Sequence, residues 1–156
     1  MSAAQRVLLI NPTITGKRHA RFPLAVLSLR TALEGRHRPM ILDGNIDRDF
    51  VNTAAGVLGS VDAVGITVMG GPQLTSAIAV SKAIRARAPQ VPIIWGGAFP
   101  TVCPTAAINS PYVDYVVRSQ GEDTLTELID SLATGDHVGD VRSWRWRNSN
   151  WPGTSP

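Results

Sequence analysis

"DAVGITVMGGPQLTSAIAVSKAIRARAPQVPIIWGGAFPT" spans residues 62–101, and its order of elements decides the fold. Two short apolar runs, 62–69 and 91–95, flank one long helical pattern, 72–88. Pro72 fits a first helical turn, where the missing N–H is no loss, and Pro89 stops the helix from continuing. The runs are apolar at nearly every position rather than at alternate ones, as expected for strands covered on both faces. Strand, helix and strand in that order make a parallel crossover unit. Both strands run into paired glycines, Gly70 with Gly71 and Gly96 with Gly97. Glycine costs backbone entropy and gives nothing to pack. Its recurrence at two strand ends marks either sharp turns or a group that comes very close to the backbone.

The same alternation extends in both directions. Upstream lie a strand at 6–10, a helix at 22–35 with Pro23 near its first turn, a strand at 39–43 and a weaker helix at 47–58. Downstream lie a short helix at 104–110, a strand at 112–118 and a helix at 122–135 that Gly135 closes. The expectation is an α/β chain: a Rossmann-like or flavodoxin-like doubly wound sheet of five parallel strands, ordered 2-1-3-4-5. Residues 1–138 are assigned to this domain, and 139–156 to a linker-like or disordered tail. Ligands of such sheets bind outside the carboxyl ends of the strands. The loops "NPTITGKRHARFP", "MGGP", "GGAFPT" and "RSQGED" share that edge, whereas "EGRHR" and "LGSVD" read as plain turns.

Composition narrows the function classes. The 156 residues are 44% hydrophobic and 17% charged, enough for one domain with a real core. No apolar run approaches the ~20 residues of a membrane span, so no membrane partner is expected. The N-terminal "MSAAQRVLLINP" does not read as a secretory signal, because its apolar run covers only Val7 to Ile10. A lone cysteine, Cys103, excludes an internal disulfide and a cysteine-based zinc site, and a cytoplasmic setting is expected. From residue 141 onward Arg142, Arg145 and Arg147 meet no acid, and the residues before them balance 12 basic against 12 acidic, so no basic face and no nucleic-acid partner is expected for the main domain. Trp144 and Trp146 would share one face of a strand, which suits a linker strand or a partner surface.

Sites of chemistry are sparse. The GxGxxG and GxxxxGK[ST] patterns are absent, and "NPTITGK" has no Ser or Thr after Lys17. Cys103 reads as a small semi-buried thiol, and His19, His37 and His137 as surface residues without the spacing of a metal pair. Asp43 and Glu122 stand at strand ends, where each suits either a ligand hydrogen bond or a cap. No acid–base pair or triad emerges, so no catalytic residue and no metal ligand is assigned. A glycine-lined edge with few charges suits binding of a large, flat, mostly uncharged ligand.

The ordered series "VLLINP", "RFPLAVLSLRTALEG", "ILDGN", "DAVGITVMGGPQ", "VPIIWGGAFPT" and "PYVDYVVRSQGEDTLTELIDSL" resembles the cobalamin-binding domain at the N-terminus of cobalamin-dependent radical S-adenosylmethionine enzymes. The likeness covers about residues 6–134. It implies a corrin ring across the carboxyl edge of the sheet and a nucleotide tail in a groove. Asn11 and Pro12 stand where the family's first loop approaches the corrin. Thr67 and Met69 match the segment with a small hydroxyl residue beside the tail, and Gly70 and Gly71 continue it. Gly96 and Gly97 match the paired glycines that let the tail pass. Gly121 and Glu122 match the turn after strand five, where Ser119 and Gln120 replace the usual glycine and glutamate.

Two absences refine this expectation. The DxHxxG motif of the mutases is missing, which implies binding without a histidine on cobalt. The CxxxCxxC motif that holds an iron–sulfur cluster needs three cysteines, and these residues supply one. Cobalamin without an iron–sulfur cluster is therefore the expected cofactor. The expected role is a carrier that partners a separate radical S-adenosylmethionine protein. The alternative is a degenerate fragment serving as an interaction module without ligand.

Overall fold

The computed structural model describes residues 3–14 and 22–135, and of residues 144–146 the backbone alone. Lys17, His19, His137 and the side chains of the Trp/Arg tail lie outside the described residues. Strands β1 (Arg6–Asn11), β2 (Arg38–Asp43), β3 (Ala63–Thr67), β4 (Ile93–Gly96) and β5 (Tyr115–Val117) are parallel, in the order β2-β1-β3-β4-β5. A further strand, β6 (Trp144–Trp146), pairs antiparallel with β5 and extends the sheet to six.

Helices α1 (Leu24–Leu33) and α6 (Glu122–Thr134) cover one face, and α2 (Phe50–Val57) and α3 (Pro72–Arg87) the other. The division follows from strand periodicity. In β1, Val7 and Leu9 pack with Val26, Leu33 and Leu128, whereas Leu8 and Ile10 join Phe50, Ala77 and Val80. Each face therefore has its own core, and the continuous apolar runs are needed to supply both. The larger core centres on Trp95, 1% exposed, whose indole N–H donates to Ser81 Oγ at 3.0 Å.

Three boundaries differ from expectation. β3 ends at Thr67, because Val68 N–H turns to the Gly96 carbonyl and Met69 N–H to the Gln73 side chain. β5 is only three residues long. The residues after Gly97 form a short helix, α4 (Ala98–Val102), ahead of α5 (Pro104–Ile108). Glycine closes two helices as predicted: φ is +86° at Gly35 and +69° at Gly135.

Candidate functional site

Two adjacent strands, β3 and β4, each place a glycine on one face of the sheet where a side chain would otherwise stand. Gly65 pairs with Ile94, and Thr67 with Gly96, in the β3–β4 register. These four residues lie on the face that carries α1 and α6, because their neighbours Val64, Ile66 and Trp95 serve the opposite core. The two helices cannot reach bare backbone, so a cleft of about 160 Å³ opens there. Gly65, Thr67, Ile94, Gly96 and Val117 line its sheet side; Ala25, Val26 and Leu29 of α1, and Leu125 of α6, line its helix side. It opens at the carboxyl edge, next to the turn Ser119–Glu122.

The paired glycines have different reasons. A Cβ at Gly97 would lie 3.0 Å from the Val68 carbonyl oxygen and 3.2 Å from Thr67 Oγ1, and φ there is +103°. The group that comes close to Gly97 is thus the protein's own backbone. Gly96 has no such constraint: its Cβ would make ordinary contacts with Val117 at 3.7 and 3.8 Å. Nothing inside the fold demands glycine at 96, and the space beside it is the cleft.

The rim is built from polar contacts. Ser28 Oγ of α1 donates to Glu122 Oε1 of α6 at 2.7 Å, bridging the two helices. That hydrogen bond, followed by one from its own backbone N–H, holds the Glu122 carboxyl below the usual carboxylate range. Ser119 has φ +60°, unusual for a residue with a side chain, and its N–H donates to Thr101 Oγ1 at 2.9 Å. A glycine would take this left-handed conformation without strain.

A second polar cluster lies at the ends of β1 and β2. Asn11 Nδ2 donates to Asp43 Oδ1 at 3.0 Å, and buried Gln73 donates to Asn11 Oδ1 at 3.1 Å and to the Pro12 carbonyl at 3.0 Å. Gln73 Oε1 accepts Met69 N–H at 2.8 Å. All of these polar atoms are matched within the protein. They fix the first and third loops relative to each other.

The eleven residues selected from the sequence thus fall into three groups. Thr67, Gly96, Gly97, Gly121 and Glu122 line the cleft. Asn11, Pro12 and Asp43 belong to the loop-fixing cluster, which Met69 joins through its backbone. Gly70 and Gly71 are exposed between β3 and α3, with open space around them. Sequence reasoning missed Gly65 and Gln73. An isolated glycine inside an apolar strand is itself a mark of close backbone approach, and "AVGIT" carried it. No sequence feature distinguishes Gln73 from a solvated helix residue.

His37 requires a correction: it is 6% exposed, not a surface residue. Its Nδ1 accepts Gln5 N–H at 3.2 Å, and its Nε2 faces Asp130 Oδ1 at 2.9 Å. It precedes β2 and so lies at the amino edge of the sheet, remote from the cleft mouth. Cys103 is exposed, between α4 and α5. Among the described residues no group of three or more His, Cys, Asp or Glu could hold a metal ion, and no helix is long and apolar enough to cross a membrane.

A doubly wound α/β domain with a glycine-floored cleft at the carboxyl edge of its strands is the architecture of a ligand-binding module. The chain belongs to the B12 binding domain family, whose model matches residues 19–129. Among solved structures it is similar to the radical S-adenosylmethionine methyltransferase TsrM from Kitasatospora setae with cobalamin and a 4Fe–4S cluster bound. That match has 24% identity and a TM-score of 0.78, and covers 91% of this chain and 29% of TsrM. It is also similar to the cobalamin-dependent S-adenosylmethionine radical enzyme OxsB with aqua-cobalamin and S-adenosylmethionine bound, at 19% identity and a TM-score of 0.73, over 92% of this chain and 21% of that one. The RcsB response regulator of Salmonella typhimurium shares the fold, at 16% identity and a TM-score of 0.58, over 85% of this chain and 61% of that one. The chain thus spans under a third of the length of TsrM and OxsB. No curated protein matches the sequence.

Proposed function

We propose that the chain binds cobalamin, with the nucleotide tail in the cleft between α1, α6 and the glycine strip. The observation that carries this reading is Gly96: a glycine the fold does not require, at a place where a side chain would fill the cleft. Gly65, Thr67 and Gly121 would line the tail, and the Asn11–Pro12 and Met69–Gly71 loops would face the corrin. When bound, cobalamin supplies a cobalt centre able to carry and transfer an alkyl group. The chain's own contribution is to bind, orient and shield that group.

Cobalt is held without a histidine from below in this proposal. The support is that DxHxxG is absent and that the described histidine, His37, lies at the opposite edge of the sheet. The catalytic half is assigned to a separate radical S-adenosylmethionine protein, to which this domain presents the corrinoid within the cytoplasm. That assignment draws on the domain's likeness to part of TsrM and part of OxsB.

Incubation with hydroxocobalamin followed by gel filtration tests the binding. Corrin absorbance is expected to travel with the folded protein, and free elution of all corrin overturns the proposal. Co-purification of a cysteine-rich radical protein, enriched when cobalamin is present, tests the partner role; its absence from native complexes overturns that part alone.

A further inference from the structure

We infer that the cleft selects corrinoids by their lower base, accepting a flat apolar base of the benzimidazole class and rejecting a purine. This rests on the corrinoid reading above and adds which corrinoid is taken.

The basis is how few hydrogen bonds the cleft has left to offer. Its sheet side is Gly65, Ile94, Gly96 and Val117 around the one hydroxyl of Thr67; its helix side is Val26, Leu29 and Leu125. Four lining side chains carry polar atoms: Thr67, Ser119, Gln120 and Glu122. Ser119 and Gln120 are exposed at the mouth, and the Ser119 N–H is committed to Thr101. Glu122 stands on the rim beside them, where its carboxylate accepts from Ser28 and from its own N–H. The side chains of the inner part of the cleft are therefore apolar, with Thr67 as the one that carries a polar atom.

An alkylated benzimidazole presents carbon along its outer edge and a single free ring nitrogen, which Thr67 Oγ1 is able to satisfy. Adenine presents several ring nitrogens and an amino group, and these would lose water without finding partners. Each buried polar group left unpaired weakens binding by about tenfold or more. The discrimination is of the kind in which unmatched polar groups, rather than size, decide.

The test uses the full chain and three hydroxo-corrinoids in equilibrium dialysis: cobalamin, its adenine-based analogue, and cobinamide, which has no base. Cobalamin is expected to bind at least about tenfold more tightly than the other two. Equal affinity for cobalamin and the adenine analogue overturns the inference and leaves the corrinoid reading standing. Cobinamide binding as tightly as cobalamin also overturns it, since the cleft then reads no base. Binding of none of the three overturns the corrinoid reading itself. A variant, Leu29→Gln, places an amide on the helix side and is expected to narrow the ratio between cobalamin and the adenine analogue. A folded variant, checked by circular dichroism, with an unchanged ratio counts against the inference.

Discussion

At Gly97 the φ of +103° and the Val68 carbonyl, 3.0 Å from where a Cβ would sit, make any side chain costly whatever the cleft contains. Gly97→Ala is expected to lower stability by about 1–3 kcal/mol, read in urea unfolding without ligand. Gly96→Ala should do the opposite to stability and harm binding. Its Cβ meets only ordinary contacts, and replacing glycine in extended backbone stabilises by about 0.4–1 kcal/mol. The same methyl group enters the cleft and is expected to weaken hydroxocobalamin binding by about tenfold, since overpacking costs at least ~1 kcal/mol. A variant that binds as well as the parent would remove Gly96 from the site. Ser119→Val adds β-branching to a left-handed residue and is expected to cost about 1–2 kcal/mol, while Ser119→Gly stays neutral or stabilises, as thermal melts would show. The sequence made the glycine pair legible but not the division of labour within it. Which glycine answers to backbone and which to open space depends on the end of the neighbouring strand at Val68, far away along the chain, which no local pattern encodes.

Among the elements, α3 does the most to shape the edge. Its second residue, Gln73, reaches back to Met69, Asn11 and Pro12 and holds the loops after β1 and β3 in one arrangement. Gln73→Ala leaves the part-buried Met69 N–H and two buried acceptors without partners and is expected to cost about 3 kcal/mol. Hydrogen exchange supplies the check: the Met69 amide should lose protection before the β3 core does. The long helices and four of the strands were legible because their apolar periodicity and proline or glycine boundaries agree. α4 was not, because "AFPTV" reads as turn and is organised by Phe99 N–H on the Val68 carbonyl and Cys103 N–H on the Phe99 carbonyl. β5 was overestimated because Tyr112 and Val113 are apolar for a different purpose: they pack with Trp95 and Ile108 ahead of the strand.

At the scale of the molecule, two cores divided by one sheet leave an asymmetric surface. Of the large apolar side chains that remain exposed, Ile46, Met69 and Val102 belong to connections at the carboxyl edge, Phe22 and Leu24 to the start of α1, and Met40 to the edge strand β2. The amino edge instead carries ion pairs, including Arg6 with Asp62 and Arg36 with Asp130. The Arg6 hydrogen bond holds the Asp62 carboxyl below its usual range, as Ser28 does for Glu122. A carboxylate whose folded pKa is depressed adds stability that is complete above its unfolded value, ~4, and is lost as pH falls through the folded value. Both groups are largely solvated, so the contribution is small. Asp62→Asn combined with Glu122→Gln is expected to flatten the acid limb of a stability–pH profile below pH ~4 and leave the neutral plateau almost level. A parallel downward shift at every pH would contradict this.

The glycine strip also has a thermodynamic consequence. The sheet leaves a gap between β3, β4 and the α1–α6 pair. A ligand seated there acts as a removable piece of the hydrophobic core. Folding and occupancy then become linked equilibria: at a free ligand concentration one hundred times its dissociation constant, the native state gains about 2.7 kcal/mol over the empty chain. Its melting temperature should climb with the logarithm of ligand concentration. A cell short of the ligand would hold a less stable protein, and abundance would report supply.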